Sequence, residues 1–378
     1  MNVALIDDGV EINNVTRQYI YEFLEINDIL VGFQKQTTNI NSYSHGTICA
    51  SIIRKMSQSA RIYSLKILNS DNLCASTCKL EKAFEWCLNN DIDIINLSLG
   101  TINSKDFISI KRWIRCLIKN NKIVVAAINN NNSYTIPASL PEVIGVSSEE
   151  KLCDFKFVSD SFIGIDILAP SNYDIVLNNE EHIITPFCNS FAAPAVTGKI
   201  CELISKDYNS MGEKDKYFVG KIREKLRIKC KDIEFESMGD MVKCELNEKY
   251  LWTNHCDWNN NTIKKVPIIN IYSSAVELNM FNKLFYNDNI FPVVVYGKYI
   301  LSNMKKRRIY NLLYKISGMM DCDLIVLHNI TGRLVDEEIS IEYCSLEFKI
   351  TYRKGLKKVR NTYRKIETVY EKILDVLG

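Results

Sequence analysis

The stretch CNSFAAPAVTG, residues 188–198, sets a single serine, Ser190, before a run of small and apolar residues, with a proline four positions on at Pro194. Two readings compete. A serine ahead of an apolar run is a common helix cap, because its oxygen accepts a hydrogen bond from an orphan backbone N–H. The same serine can be a nucleophile if the fold supplies a base to take its proton and a carboxylate to hold that base. The stretch alone favours the cap, so residues far from it must decide.

The chain has 378 residues, enough for two domains. Its 47% hydrophobic and 24% charged residues are an ordinary globular mixture with a net charge of +2. The 13 cysteines form no dense short framework, and an odd count in a long chain reads as reduced thiols. The opening MNVALIDDGV lacks a basic segment followed by a long apolar one, so no signal peptide is expected. No run of 18 apolar residues occurs, and no membrane span is expected. A soluble, cytoplasmic protein follows from these features.

Up to about residue 200, apolar β-rich runs alternate with helical patterns. The strands are expected at Asn2–Ile6, Ile62–Ile67, Ile92–Leu97, Ile123–Ala127 and Val143–Val146, with helices near 46–55, 77–89 and 106–119. The first three strands are continuously apolar, which suits strands covered on both faces of a parallel sheet. Alternating units of this kind predict a doubly wound, mostly parallel α/β layer fold, whose chemistry gathers at the carboxyl ends of strands. A helix follows Pro194 and another lies near 216–229. This first domain spans 1–232, and a polar segment at 233–261, ending in Asn259–Asn261, reads as a linker.

A smaller α/β domain at 262–378 follows, with strands in VPIINIY (266–272), FPVVVYG (291–297), DLIVLHN (323–329) and the β-rich 338–352. A final helix is expected from Leu356, Val359, Tyr363, Ile366, Val369, Tyr370, Ile373 and Leu374 at spacings of 3–4. From Cys256 on there are 19 Lys and Arg against 13 Asp and Glu, a balance of +6, which leaves −4 for the rest. The basic residues cluster in KKRR (305–308) and RKGLKKVRNTYRK (353–365). A solvated face accounts for such clusters, and so does an acidic peptide or an acidic partner surface. No nucleic-acid-binding module accompanies them, so no nucleic acid is expected.

Four histidines are available as a base: His45, His182, His255 and His328. His328 ends a predicted strand of the second domain, His255 lies in the linker, and His182 reads as a surface loop residue. His45 sits in SHGTICASII, among small residues and ahead of an apolar helical run, and is the candidate. For the carboxylate, VALIDDGV delivers Asp7 from an apolar strand to the sheet's carboxyl edge. The plain alternative is that Asp7 and Asp8 only begin a turn.

The order Asp7, His45, Ser190 is that of subtilisin, and here the chain resembles a subtilisin-like serine peptidase, a subtilase. VALIDDGV resembles the family's aspartate motif, HGTICASII its histidine motif, and NSFAAPAVTG its serine motif, usually GTSMAAPHVAG. DIINLSLG (93–100) is similar to the strand that pairs with the substrate backbone. VVAAINN (124–130) is similar to the segment carrying the oxyanion asparagine, which maps to Asn129, and IPASLPEVIGVSS (136–148) to the segment after it. Six motifs in order, between residues 3 and 198, decide the opening question for the nucleophile. The cap reading survives beside it, since the resemblance puts the nucleophile at a helix N-terminus. Three positions depart from the family: Cys188-Asn189 replaces Gly-Thr, Phe191 replaces Met, and Ile128 replaces the glycine before the oxyanion asparagine. They crowd the site and bear on substrate breadth.

The resemblance implies amide hydrolysis. Ser190 attacks, His45 moves the proton, Asp7 orients His45, and the Asn129 side chain with the Ser190 N–H holds the oxyanion. Ser98, Leu99 and Gly100 offer backbone to an extended substrate. No cofactor is expected. Cys74 and Cys78 lie at helical spacing without a second Cys/His pair, so buried thiols are expected rather than zinc. Many subtilases hold structural calcium; no D-x-[DN]-x-[DN]-G loop occurs here, and calcium held by backbone oxygens stays open. The catalytic motifs begin at the chain's start, so no prodomain is expected and selectivity must come from elsewhere. The basic second domain is expected to recruit a peptide or protein substrate, such as a leader or precursor peptide with an acidic segment. General protein turnover and a non-catalytic binding protein on a subtilase scaffold are the alternatives.

Overall fold

The computed structural model describes residues 1–27, 31–34, 43–69, 72–130, 135–140, 142–158, 165–177, 182–211, 218–233, 267–288, 290, 292–296, 322–329, 339–354 and 357–377. The chain divides into two compact units, Met1–Cys256 and Asp257–Gly378. Beyond Ile233, the expected linker falls outside the described residues, as do His255 and KKRR (305–308).

In the first unit the strands are β1 (Asn2–Asp7), β2 (Ile20–Ile26), β3 (Val31–Phe33), β4 (Arg61–Lys66), β5 (Ile94–Leu97), β6 (Ile123–Ala127), β7 (Ile144–Ser148), β8 (Lys156–Val158), β9 (Ile167–Ala169), β10 (Asp174–Val176), β11 (His182–Ile184) and β12 (Lys231–Ile233). The helices are α1 (His45–Met56), α2 (Thr77–Asn89), α3 (Ser104–Lys119), α4 (Asn189–Met211) and α5 (Phe218–Lys229). Ten strands form one sheet in the order β12-β8-β9-β7-β6-β5-β1-β4-β2-β3, and β10 with β11 makes a separate hairpin. The central pairs β1–β4, β1–β5, β5–β6 and β6–β7 are all parallel.

The chain lays strands on both sides of β1. The crossover through α1 leads to β4 on one side, while α2 and α3 lead to β5 and β6 on the other. Both faces of β1, β5 and β6 are buried almost throughout, with α1 packed against α4 and α2 against α3. This is the doubly wound α/β architecture expected from the continuous apolar runs. Ile6, Ile52, Ile53, Ile62 and Leu65 are wholly buried in it, each burial contributing about 1.5–3 kcal/mol. Helix α4 packs on β6 and β7 and against α1. Gly198 permits that close approach, since a Cβ there would lie 2.4 Å from Met56 Cβ.

The second unit has strands β13 (Ile268–Tyr272), β14 (Pro292–Tyr296), β15 (Leu324–His328), β16 (Ile339–Cys344), β17 (Glu347–Lys354) and β18 (Lys357–Tyr363), with helices α6 (Ala275–Asn287) and α7 (Ile366–Leu377). Its sheet runs β14-β15-β13-β16-β17-β18, parallel through β16 and antiparallel beyond. The core joins Ile269, Ile271, Phe281, Phe285, Val326, Ile339 and Ile350 to the stripe Ile366, Val369, Tyr370 and Ile373 of α7.

Two expectations fail. The final helix starts only at Ile366, because Val359 and Tyr363 belong to β18, paired with Tyr352 and Phe348. Four-residue spacing fits a helix face and a strand face equally, and cross-strand partners decided for the strand. Leu356 lies outside the described residues. Cys74 and Cys78 are exposed, not buried. Helix α2 begins only after its cap Ser76, so Cys74 sits before the helix, its N–H bonded to Asn72 Oδ1 at 3.0 Å.

Candidate active site

Asp7 ends β1 at the sheet's carboxyl edge and is 1% exposed. His45 opens α1, whose cap is Ser44: the Thr47 N–H donates to Ser44 Oγ at 3.2 Å. Asp8, read from sequence only as part of a turn, completes this helix start. Its carboxylate accepts the N–H of His45 at 3.1 Å and that of Gly46 at 2.7 Å. Burial and the neighbouring Asp7 charge raise the Asp8 pKa, and the two N–H donors oppose them. Gly46 is required where α1 meets the β1 turn, since a Cβ would lie 2.4 Å from Gly9 O. The Asp7–Asp8 pair thus divides its work: Asp8 fixes the backbone of His45 and Asp7 its ring.

His45 Nδ1 lies 2.9 and 3.0 Å from the two Asp7 carboxylate oxygens. A carboxylate only accepts, so Nδ1 carries the proton. Among the described residues Nε2 has no hydrogen bond, and the side chain is 18% exposed. The ring stacks on Phe191, with centroids 4.9 Å apart and planes 24° from parallel. Burial pushes the imidazole toward its neutral form, but Cys49, Asp7 and their hydrogen bonds prevail and the pKa is raised. The Cys49 thiol is itself pushed up to about 11 by burial. It carries no charge at neutral pH, so Asp7 is the group that stabilises the imidazolium.

Ser190 is the second residue of α4. Pro194 has no N–H to give the carbonyl four residues back, which is that of Ser190. Ser98 Oγ takes that carbonyl at 2.8 Å, and the Cys49 thiol approaches it at 3.7 Å. Ser98, expected to serve through its backbone, therefore also ties the end of β5 to the serine through its side chain. Thr197 Oγ1 adds a second tie, donating to Asn96 Oδ1 at 2.8 Å. The Ser190 hydroxyl pairs with Cys188 Sγ at 3.0 Å and, among the described residues, not with His45.

Asn129 follows β6. Its N–H donates to Thr135 Oγ1 at 3.0 Å, and its carbonyl accepts from Asn189 Nδ2 at 3.1 Å. Beyond Ser98, Leu99 is half-buried and Gly100 exposed, and among the described residues the backbone of neither makes a hydrogen bond. Of the remaining histidines, His182 opens β11 on the surface, 2.9 Å from Asp174. His328 belongs to the second unit. One group among the described residues has metal-ligand character: atoms of Asp7, His45 and Cys49 within 4.8 Å of one another. A metal there would displace the Nδ1 proton and disable the imidazole as a base. No helix among the described residues is long and apolar enough to cross a membrane.

The structure thus brings Asp7, His45, the Ser190 helix and the Asn129 loop to one edge of the sheet. Sequence reasoning missed Asp8, Asn189, Phe191 and the side chain of Ser98 as supports. No local signal marked Asp8, because its partners are backbone N–H groups 37 and 38 residues away.

Known proteins carry the same pattern. The Subtilase family (peptidase S8) matches residues 1–229. Subtilisin DY of Bacillus licheniformis is 23% identical over 188 residues, 45% of this chain and 67% of its own length. Subtilisin BL of Lederbergia lenta is 26% identical over 137 residues, 33% of this chain and 50% of its own, so this chain spans half to two thirds of these relatives. Among solved structures, a lanthipeptide protease gives a TM-score of 0.49 at 18% identity, covering 60% of this chain and 79% of that one. A cold-adapted subtilisin-like serine proteinase gives 0.46 at 18%, covering 60% and 81%. With the family matched from β1 through α5, more than half of the chain, the chain belongs to the subtilases, a family of serine endopeptidases.

Proposed function

We propose that the protein is a cytoplasmic serine endopeptidase with Ser190 as nucleophile, His45 as base, Asp7 as its orienting carboxylate, and Asn129 with the Ser190 N–H as oxyanion donors. The observation that carries this reading is the imidazole: Nδ1 is spent on Asp7, Nε2 has no partner among the described residues, and the ring lies against the residue after Ser190. Ser190 Oγ leaves Cys188 for Nε2, attacks the substrate carbonyl and gives its proton to His45, which passes it to the leaving amine. The unpaired backbone of Leu99 and Gly100 suits an extended substrate added as a strand. Ser190→Ala should abolish peptide cleavage and labelling by a fluorophosphonate. Cleavage at the parent rate would refute the assignment.

The substrate we propose is a precursor or leader peptide with an acidic segment. The second unit carries the +6 balance, and β17 and β18 turn Lys349, Lys358 and Arg360 to one exposed face opposite the buried Phe348 and Ile350. Reversing these three charges to Glu in the full chain should raise KM for an acidic precursor about tenfold, as for loss of steering and contact charges. Turnover of short neutral peptides should stay unchanged; an equal loss on both substrates would remove this role. The reducing cytoplasm suits a chain whose described cysteines are all free.

A further inference from the structure

Asn189 has no counterpart in the family's serine motif, which carries threonine there, and no role in the mechanism above. It is 4% exposed, yet its side chain and backbone reach two separate segments. Oδ1 accepts from the Ser148 N–H at 2.7 Å, from Ser148 Oγ at 2.7 Å and from Ser147 Oγ at 3.3 Å, at the end of β7. Nδ2 donates to Asn129 O at 3.1 Å, and the backbone N–H donates to Asn130 Oδ1 at 3.0 Å. The amide's orientation is fixed by its partners, because a backbone N–H only donates and a carbonyl only accepts. The loop holding Asn129 and the helix holding Ser190 are therefore linked twice, from Asn189 to Asn129 itself and to Asn130.

We propose that Asn189 is the positioning residue of the oxyanion site: it holds the Asn129 side chain and the Ser190 N–H at a fixed separation. This rests on the reading of Ser190 and Asn129 given above. Two oxyanion donors come from different segments, and their mutual distance must suit the single oxygen that develops charge. Asn129 is pinned at both ends of its own backbone, by Thr135 Oγ1 on its N–H and by Asn189 on its carbonyl, so its side chain starts from a fixed Cα. The other donor belongs to the residue immediately after Asn189. Ser148 anchors the clamp to the sheet, so both donors are referred to one rigid strand. A displacement near 1 Å in such a frame is enough to cost about 10²-fold in rate.

The test is a double-mutant cycle on kcat, with active enzyme counted by fluorophosphonate titration run to completion. Asn189→Ala should lower kcat by about 10- to 100-fold with KM within about twofold, and Asn129→Ala should lower it about 10²- to 10³-fold. In the Asn129→Ala background, adding Asn189→Ala should cost less than about threefold, because its effect travels through the donor already removed. Equal losses in both backgrounds, or unchanged kcat in the single variant, would overturn the proposal. If Asn189→Ala does not fold, Asn189→Asp keeps the acceptor toward Ser148, removes the amide donor toward Asn129, and should give the same non-additive pattern. Ser190→Ala separates the two levels. Cleavage at the parent rate in that variant would sink the underlying reading, whereas an inactivated Ser190→Ala with an additive cycle would sink the positioning role alone.

Discussion

Both units set a histidine beside the carboxyl end of a parallel strand, and the two are wired in opposite senses. Beside β1, His45 gives its Nδ1 proton to a carboxylate and leaves Nε2 without a partner among the described residues. At the end of β15, His328 is 6% exposed and turns Nε2 to the backbone carbonyl of Ser273 at 3.0 Å. A carbonyl only accepts, so this nitrogen carries the proton and is spent on holding the β13 turn to β15. Strand-end placement in a parallel sheet is thus shared by both and separates nothing. The distinction lies in which nitrogen the fold consumes, and whether an ionised group stands behind the other.

Replacing each histidine by alanine should separate the two most widely. His45→Ala should lower kcat by about 10⁶-fold, the magnitude found for the equivalent loss in subtilisin itself. His328→Ala should leave kcat of the active fraction unchanged and lower stability by about 0.5–1.5 kcal/mol, because it removes the ring's hydrogen bond to the Ser273 carbonyl, which keeps Asn329 Nδ2 as a donor. Steady-state kinetics and urea unfolding read the two effects. A kinetic defect in the second variant would break the contrast.

Asp7→Asn sharpens the same contrast from the carboxylate's side. It should cost about 10⁴-fold in kcat and shift the acid limb of the pH–rate profile. The proposed base catalysis needs neutral His45, so activity should appear as pH rises through its folded pKa, which is raised. Loss of Asp7 removes that support, and the limb should move to lower pH. The stability sign follows from linkage. The Asp7–imidazolium interaction is fully present below the unfolded value of about 6.5 and fades as pH rises through the raised folded value, so Asp7→Asn should lose most stability in acid. An acid limb that stays in place would mean that Asp7 does not set the charge of His45.

The same contrast shows what a sequence can carry. The strands β1, β5 and β6 were legible because both of their faces are buried, leaving an unbroken apolar run. Asp7, His45 and Ser190 were legible because each sits where an element ends or begins, flanked by the small residues that a crowded edge requires. β2 was missed although Ile20, Leu24 and Ile26 are buried, because Glu22 and Glu25 interrupt the run. β18 was read as helix because Val359 and Tyr363 fit both periods. Asn189 and Asp8 escaped for a different reason. Each works by bonding to the backbone of a segment distant in sequence, and backbone partners leave no residue type to recognise.

The smallest expected effect lies at Cys188, where the family has glycine. Its thiol meets the Ser190 hydroxyl at 3.0 Å, and the proposed mechanism needs that hydroxyl at His45 instead. A thiol–hydroxyl contact is weak, about 0.5 kcal/mol, so removing it should release the serine by about twofold. Alanine is the substitution to use, since glycine would also loosen the helix entry by about 0.5–1 kcal/mol. Cys188→Ala should therefore raise kcat about twofold on a small ester, with KM and the acid limb unchanged. A fall in kcat would show that the thiol supports the serine in its working position. The departure from glycine would then be part of the catalytic apparatus, and His45 would no longer be the single group that competes for the Ser190 proton.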